Sequence, residues 1–242
     1  MSSFPWLTVL VLLPLVGAVV LWVLPAAPRN VVRPVALAFA IAELVLTGLA
    51  FLAFDTHRAG EYQLTEVHSW IPAFGVSYAV GVNGVALALI GMSVLLVPLV
   101  VLAAWHEQGS TASASNSLRR YLALVLALEA FVVAVFAARD VFLFYILFEA
   151  MLIPVYFMIG SYGGPRRRYA AVKFLLYSLA GGLVMLVGVI ALYLKGPGGP
   201  QGFLTQNLVG LHLDPTTERL LFVAFFVAFA IKAPMFPVHT WL

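Results

Sequence analysis

The chain has 242 residues, of which 63% are hydrophobic and only 10% charged, with a mean hydropathy of +1.05. Ordinary soluble domains are about 45–50% apolar and about 25% charged, so this composition excludes a water-soluble globule. The net charge is +3 and the pI 9.3, but the 13 basic residues stand singly or in short clusters at the ends of apolar runs. That distribution marks membrane topology rather than a nucleic-acid-binding stripe. With no cysteine, the chain cannot supply thiolates to an iron–sulfur cluster or a cysteine zinc site, and has no disulfide framework.

At about 20 residues per crossing, the length accommodates roughly seven spans. The apolar runs predict them at residues 4–24, 31–54, 84–105, 119–138, 141–162, 169–194 and 220–242. The first lacks a basic leader and is too long for a signal-peptide core, so it reads as a retained helix. Residues 61–81 mix Tyr, Val, Trp, Ile, Phe and Pro over too short a stretch to cross, and predict an extramembrane hairpin. Residues 110–117 read as a polar loop. Residues 196–202 read as a flexible connector without the spacing or the strand-to-helix context of a nucleotide-binding loop. The fold expected is an all-α, polytopic membrane bundle, with helices one to three and the hairpin in residues 1–106 and helices four to seven in residues 119–242.

Charge alternates along the connections. Those after spans one, three and five hold Arg29 and Arg33, then Arg119 and Arg120, then Arg166, Arg167 and Arg168. The others hold Arg58 with Asp55, Glu61 and Glu66, then Arg139 with Asp140, then Lys195 and Arg219 with Asp214 and Glu218. The positive-inside rule then places the N-terminus outside.

Glu43, Glu129, Glu149, Lys173 and Lys232 remain inside the spans. Each costs at least about 2.5–3.5 kcal/mol at the bilayer centre, so each is a functional candidate. Glu129 and Glu149 flank the turn at Arg139 and Asp140. By helix rise both stand roughly 14–16 Å from it, near the midplane. Pro154 follows Glu149 by one turn and a residue, and denies a hydrogen bond to the Ala150 carbonyl. Lys173, near the basic edge, can snorkel. Lys232 precedes Pro234 and Pro237, which should break the seventh helix and expose carbonyls that favour a cation, as in discontinuous transporter helices. His239 lies on the same line and is suited to relaying a proton. Glu43 reads as a structural hydrogen-bonding partner of another helix. His57, His68, His106 and His212 read as surface residues, and Gly181, Gly182 and Gly188 as close-packing positions.

Three segments carry a family resemblance: Phe142-Leu-Phe-Tyr-Ile-Leu-Phe-Glu149-Ala-Met-Leu-Ile-Pro154, the stretch from Gly163 through Arg166-Arg-Arg to Lys173-Phe-Leu-Leu-Tyr, and Ala230-Ile-Lys232-Ala-Pro-Met-Phe-Pro237-Val-His239. They resemble the antiporter-like M subunits of bacterial NADH-quinone oxidoreductase, respiratory complex I, and His68-Ser-Trp-Ile-Pro resembles that family's outer-face hairpin. The resemblance implies that Glu149 and Lys232 form the central pair of a proton half-channel, with Lys173 a third participant and His239 and Glu129 lesser candidates. It makes residues 119–242 the start of the first antiporter-like repeat. It also implies flavin, iron–sulfur clusters and quinone in partner subunits, with no cofactor, metal or NADH site in this chain. The expected partners are the other membrane subunits, above all neighbouring antiporter-like ones, in a bacterial plasma membrane. Family members have about fourteen helices, so the chain is expected to be an N-terminal half. A subunit of a multi-subunit sodium/proton antiporter and a non-transporting scaffold are the alternatives.

Overall fold

The computed structural model describes residues 4–24, 29–103 and 112–242. The helices are α1 (Trp6–Val23), α2 (Arg29–Ala53), α3 (Gly84–Ala103), α4 (Ala112–Ala137), α5 (Val141–Ala150), α6 (Leu152–Tyr162), α7 (Arg167–Lys195), the single turn α8 (Thr205–Leu208) and α9 (Pro215–Lys232). The strands β1 (Gln63–Ile71) and β2 (Val76–Val82) pair in the expected hairpin. Among the described residues, six helical stretches are long and apolar enough to span a membrane, α5 and α6 counting as one. Large side chains such as Leu52, Leu183 and Val187 point outward from these helices. In lipid that exposure is favourable, and the helix satisfies its own backbone.

One compact unit comprises Met1–Glu66 and Val80–Ala137. Its helices alternate in direction. Arg119 at the start of the apolar part of α4 donates to the carbonyls of Leu21, Trp22 and Leu24 at the end of α1, and Gly84, opening α3, donates to the Ala59 carbonyl just beyond α2. A Cβ at Gly17 would meet Phe39 and Leu126, so α1, α2 and α4 converge at one level. Glu66 accepts from the amides of Leu7 and Thr8. A carboxylate there complements the positive end of α1 and occupies donors that no helical carbonyl could reach.

The second unit comprises Val67–Ala79 and Ala138–Leu242. Asp140 is fully buried and caps α5, accepting from Phe142 and Leu143 at 2.9 Å, while its second oxygen accepts from Ser77 at 2.9 Å. Burial pushes this carboxyl above its ordinary value against the opposing pull of those amides. Arg139 donates to Gln206, and main-chain bonds tie Arg139 to Ala79 and Thr205 and Val141 to Phe203. The pair read from sequence as a topology signal is thus a buried bracket. At the opposite end of this unit's span order, Asp214 caps α9, and hydrogen bonds from Thr217 hold its carboxyl below the usual range.

Several expectations change. Residues 112–117, predicted as loop, already belong to α4. The remainder of that loop and His106 lie outside the described residues. The seventh helix begins at Pro215 and ends at Lys232 rather than running over residues 220–242, because Pro234 and Pro237 cannot continue it. Residues 196–202 fold into turns, with Gly198, Gly199 and Gln201 at positive φ, and Tyr193 stacks on Phe203 at 4.3 Å beside them. Helix α4 packs with α1 to α3, whereas the sequence division set it with the later helices.

Replacing Asp140 with Ala strands three buried amides. Thermal unfolding of the detergent-solubilised protein should reveal a loss of about 1–3 kcal/mol, with Asp140→Asn intermediate because it keeps one acceptor.

Candidate proton-transfer site

Two helix ends meet in the second unit. Helix α5 stops at Ala150, Met151 interrupts the chain, and α6 resumes at Leu152, two residues ahead of Pro154. The Ala150 carbonyl loses its helical donor to the proline, while Met151 keeps a right-handed helical conformation and donates to the Leu147 carbonyl at 3.1 Å. Helix α9 stops at Lys232 for the same reason. The carbonyls that Pro234 and the following turn would orphan find substitutes: Met235 donates to Ala230 at 2.8 Å, and the Trp241 indole donates to Ile231 at 2.8 Å. The segment after the break is therefore irregular but satisfied, as a discontinuous helix at membrane depth requires.

Lys232 occupies the last turn of α9, where the carbonyl end of the helix favours a cation. Its ammonium donates to the Phe148 carbonyl at 3.2 Å and stands 4.2 Å from the centre of the Phe148 ring. Both contacts suit a desolvated cation. The Phe148 ring in turn stacks on Phe144 at 5.6 Å and meets Phe229 edge to face at 5.7 Å.

Glu149 is the next residue along. Both carboxyl oxygens are buried and lack a hydrogen-bonding partner among the described residues, while the Lys232 charge lies within electrostatic reach. The carboxyl rests on the backbone of α7 at Gly182, where any Cβ would overlap it. Gly182 thus seats a functional side chain, whereas Gly181 and Gly188 pack α7 against Ala228, Ile231, Ala224 and Phe225 of α9. Sequence reasoning grouped all three glycines as packing positions. The signal that separates them is tertiary, since only the fold shows which glycine faces the acid.

Lys173 is not part of this pair. It donates to the Thr240 carbonyl, while Tyr177 and the Thr240 hydroxyl bond at 2.9 Å. Nine residues separate Lys173 from Gly182 on α7, a rise of about 13.5 Å. Lys173 therefore anchors the segment beyond the break instead of facing Glu149. His239 is exposed, its ring 5.7 Å from that of Phe236. Glu129 lies in the other unit. It is buried there with Glu43, and neither carboxyl has a hydrogen-bonding partner among the described residues. The structural hydrogen bond expected for Glu43 is not formed among the described residues. Among the described residues no cluster of His, Asp and Glu could hold a metal ion.

Apolar helices with outward-facing side chains, two of them ending beside a half-buried acid and a half-buried lysine, define a polytopic membrane protein. Residues 138–242 match the family described as NADH:quinone oxidoreductase/Mrp antiporter, transmembrane. Residues 138–242 thus belong to this family, and the chain over its whole length is similar to its members. It is 38% identical to NADH-quinone oxidoreductase subunit M of Mycobacterium tuberculosis, over the whole of this chain and 49% of that protein. It is 37% identical to NAD(P)H-quinone oxidoreductase chain 4 2 of Thermosynechococcus vestitus, over 99% of this chain and 43% of that one. The chain thus spans about half the length of the curated relatives it matches. Respiratory complex I from Thermus thermophilus contains a chain with a TM-score of 0.81 at 32% identity, covering 98% of this chain and 46% of that one. The Mrp complex from Dietzia sp. shares the fold, with a TM-score of 0.80 at 19% identity, covering 98% of this chain and 24% of that one.

Gly182→Ala tests the seat. A helical Gly→Ala change ordinarily gains up to about 1 kcal/mol. Here the added methyl must displace the Glu149 carboxyl, and the expected outcome is a net loss of about 1–3 kcal/mol in thermal unfolding. Gly48→Ala on α2, where a Cβ meets nothing within 4 Å, should instead be neutral or stabilising.

Proposed function

We propose that this chain forms the first half-channel of a membrane subunit of a proton-pumping NADH-quinone oxidoreductase, in a bacterial plasma membrane. The observation that carries the reading is the meeting of Lys232, held on the Phe148 carbonyl at a helix break, with the unpartnered Glu149 carboxyl one residue away. A charged lysine removed from water is costly, and an acid nearby offsets that cost. While Glu149 faces Lys232, their attraction retains the proton on the amine. If the acid turns away, desolvation and the loss of that attraction expel the proton. Breaking one such buried pair costs several kcal/mol, and loss of the proton from the amine relieves that cost. Lys173 and Tyr177 hold the segment after the break, so that Lys232 has a fixed framework to act against. His239 sits within that segment as an exit or entry group, and Glu129 acts separately.

The driving reaction, electron transfer from NADH to quinone, belongs to partner subunits that carry flavin, iron–sulfur clusters and quinone. Neighbouring antiporter-like subunits continue the path. A sodium/proton antiporter subunit is the second reading, favoured by the family's inclusion of Mrp antiporters. Dependence of transport on sodium instead of on quinone reduction separates the two.

Glu149→Gln in the full-length protein should leave assembly of the complex intact and abolish or strongly reduce proton pumping during quinone reduction. Pumping at the parental proton-to-electron ratio would sink the assignment, and loss of assembly in step with loss of pumping would favour a scaffold. Orientation has its own test, aided by the absence of native cysteine. With the N-terminus outside, His57→Cys should react with a membrane-impermeant maleimide in intact cells, and Arg167→Cys only after the cells are opened.

A further inference from the structure

We infer that Glu43 and Glu129, with Thr47, form a buried proton-binding site in the first unit, distinct from the Glu149 and Lys232 pair. The inference stands whether or not the chain pumps protons for a quinone reductase.

The two acids are brought together by helix register. Helices α2 and α4 both run antiparallel to α1, so they are parallel to each other. Phe39 and Leu126 meet at Gly17, and one turn further along each helix come Glu43 and Glu129. Their carboxyls lie within electrostatic range of one another. Glu43 is 0% exposed, Glu129 3% and Thr47 2%. All four carboxylate oxygens and the Thr47 hydroxyl lack a hydrogen-bonding partner among the described residues. Thr47 follows Glu43 by one turn on the same buried stripe of α2, which runs Ala36, Ala40, Glu43, Thr47, Ala50.

The flanking helices add acceptors at the same depth. Pro14 lies one turn before Gly17 on α1, level with the acids, and has no N–H to give the carbonyl of the buried Leu10. Gly91 on α3 meets Phe51 of α2, and seven residues on, level with Glu43, Pro98 leaves the carbonyl of the buried Val94 without its helical donor. By rise, Leu10 and Val94 both stand at the level of Thr47. Two carbonyls deprived of their usual helical donors, in different helices, thus stand at the depth of the same three unpartnered side chains.

Charge leaves one chemical solution. Helices α1 and α3 contain no titratable residue, and the nearest titratable groups within α2 and α4 besides the two acids are Arg33 and the Arg119 to Tyr121 run. Arg33 and Arg119 each stand about 15 Å away by helix rise. Among the described residues of these four helices, therefore, no cation balances the pair. Two adjacent carboxylates in an apolar surround cannot both stay ionised, whereas one proton between them, or one on each, removes the conflict. A proton needs no cavity, and the sealed oxygens offer no room for a hydrated metal ion. Thr47 can donate to an ionised carboxylate or accept from a protonated one, so it serves both states.

Infrared difference spectra of the full-length protein in its membrane complex, recorded between acid and alkaline perfusion, test this. The expected result is a protonated-carboxyl band at neutral pH that shifts in deuterium oxide, is indifferent to added sodium, and is lost in Glu43→Gln/Glu129→Gln. Each single Gln variant, and Thr47→Val, which keeps both acids, should shift the band, because each group senses the others. A band unchanged in the variants that assemble, altered by only one of the two acids, or displaced by sodium would overturn the proposal.

Discussion

The cost of an unpaired polar group in an apolar surround governs this chain. Sixty-three per cent of its residues are hydrophobic, and its helices turn large aliphatic and aromatic side chains outward. In that setting a carbonyl that loses its helical donor must find another, and a charge must find a partner or lose its proton. The break at Lys232 is followed by such repairs. Trp241 reaches back to Ile231, Met235 to Ala230, and Lys232 to Phe148. The lysine is thereby placed by the same defect that ends its helix, and the acid beside it is left as the one group of the pair without a hydrogen bond.

The two units handle buried charge differently. In the second, a cation and an acid are held apart on separate helix ends, the cation by a carbonyl and an aromatic ring and the acid on a glycine seat. In the first, like-charged groups face each other with a hydroxyl between turns of the same stripe, and only a proton resolves the repulsion. Membrane proteins keep such residues where charge must move, because nothing else offsets their insertion cost.

Much of this was legible in sequence. The apolar runs, the hairpin over residues 61–81 and the break after Lys232 follow from rules that act within a few residues: span length, alternation and proline. The positions of Glu149 and Lys232 beside distortions were equally readable, since each proline stands within a turn or so of the charge. The misreadings share a cause as well. Residues 112–117 are polar and rich in Ser, yet they are helical because they continue an apolar helix. Asp140 looked like a surface charge because nothing local announces that Ser77 will donate to it from 63 positions away.

Sequence alone determined the solvent, the helical class and the identity of the residues that cannot rest in lipid, because composition and backbone chemistry are local properties. Only the tertiary structure decided which of those residues meet. It gave Lys232 to Phe148, turned Lys173 toward Thr240, set Glu149 on Gly182 and brought Glu43 level with Glu129. Partnership depends on the register between helices far apart in the chain, and that register is set by where small residues allow close approach, a property of pairs of surfaces rather than of any one stretch.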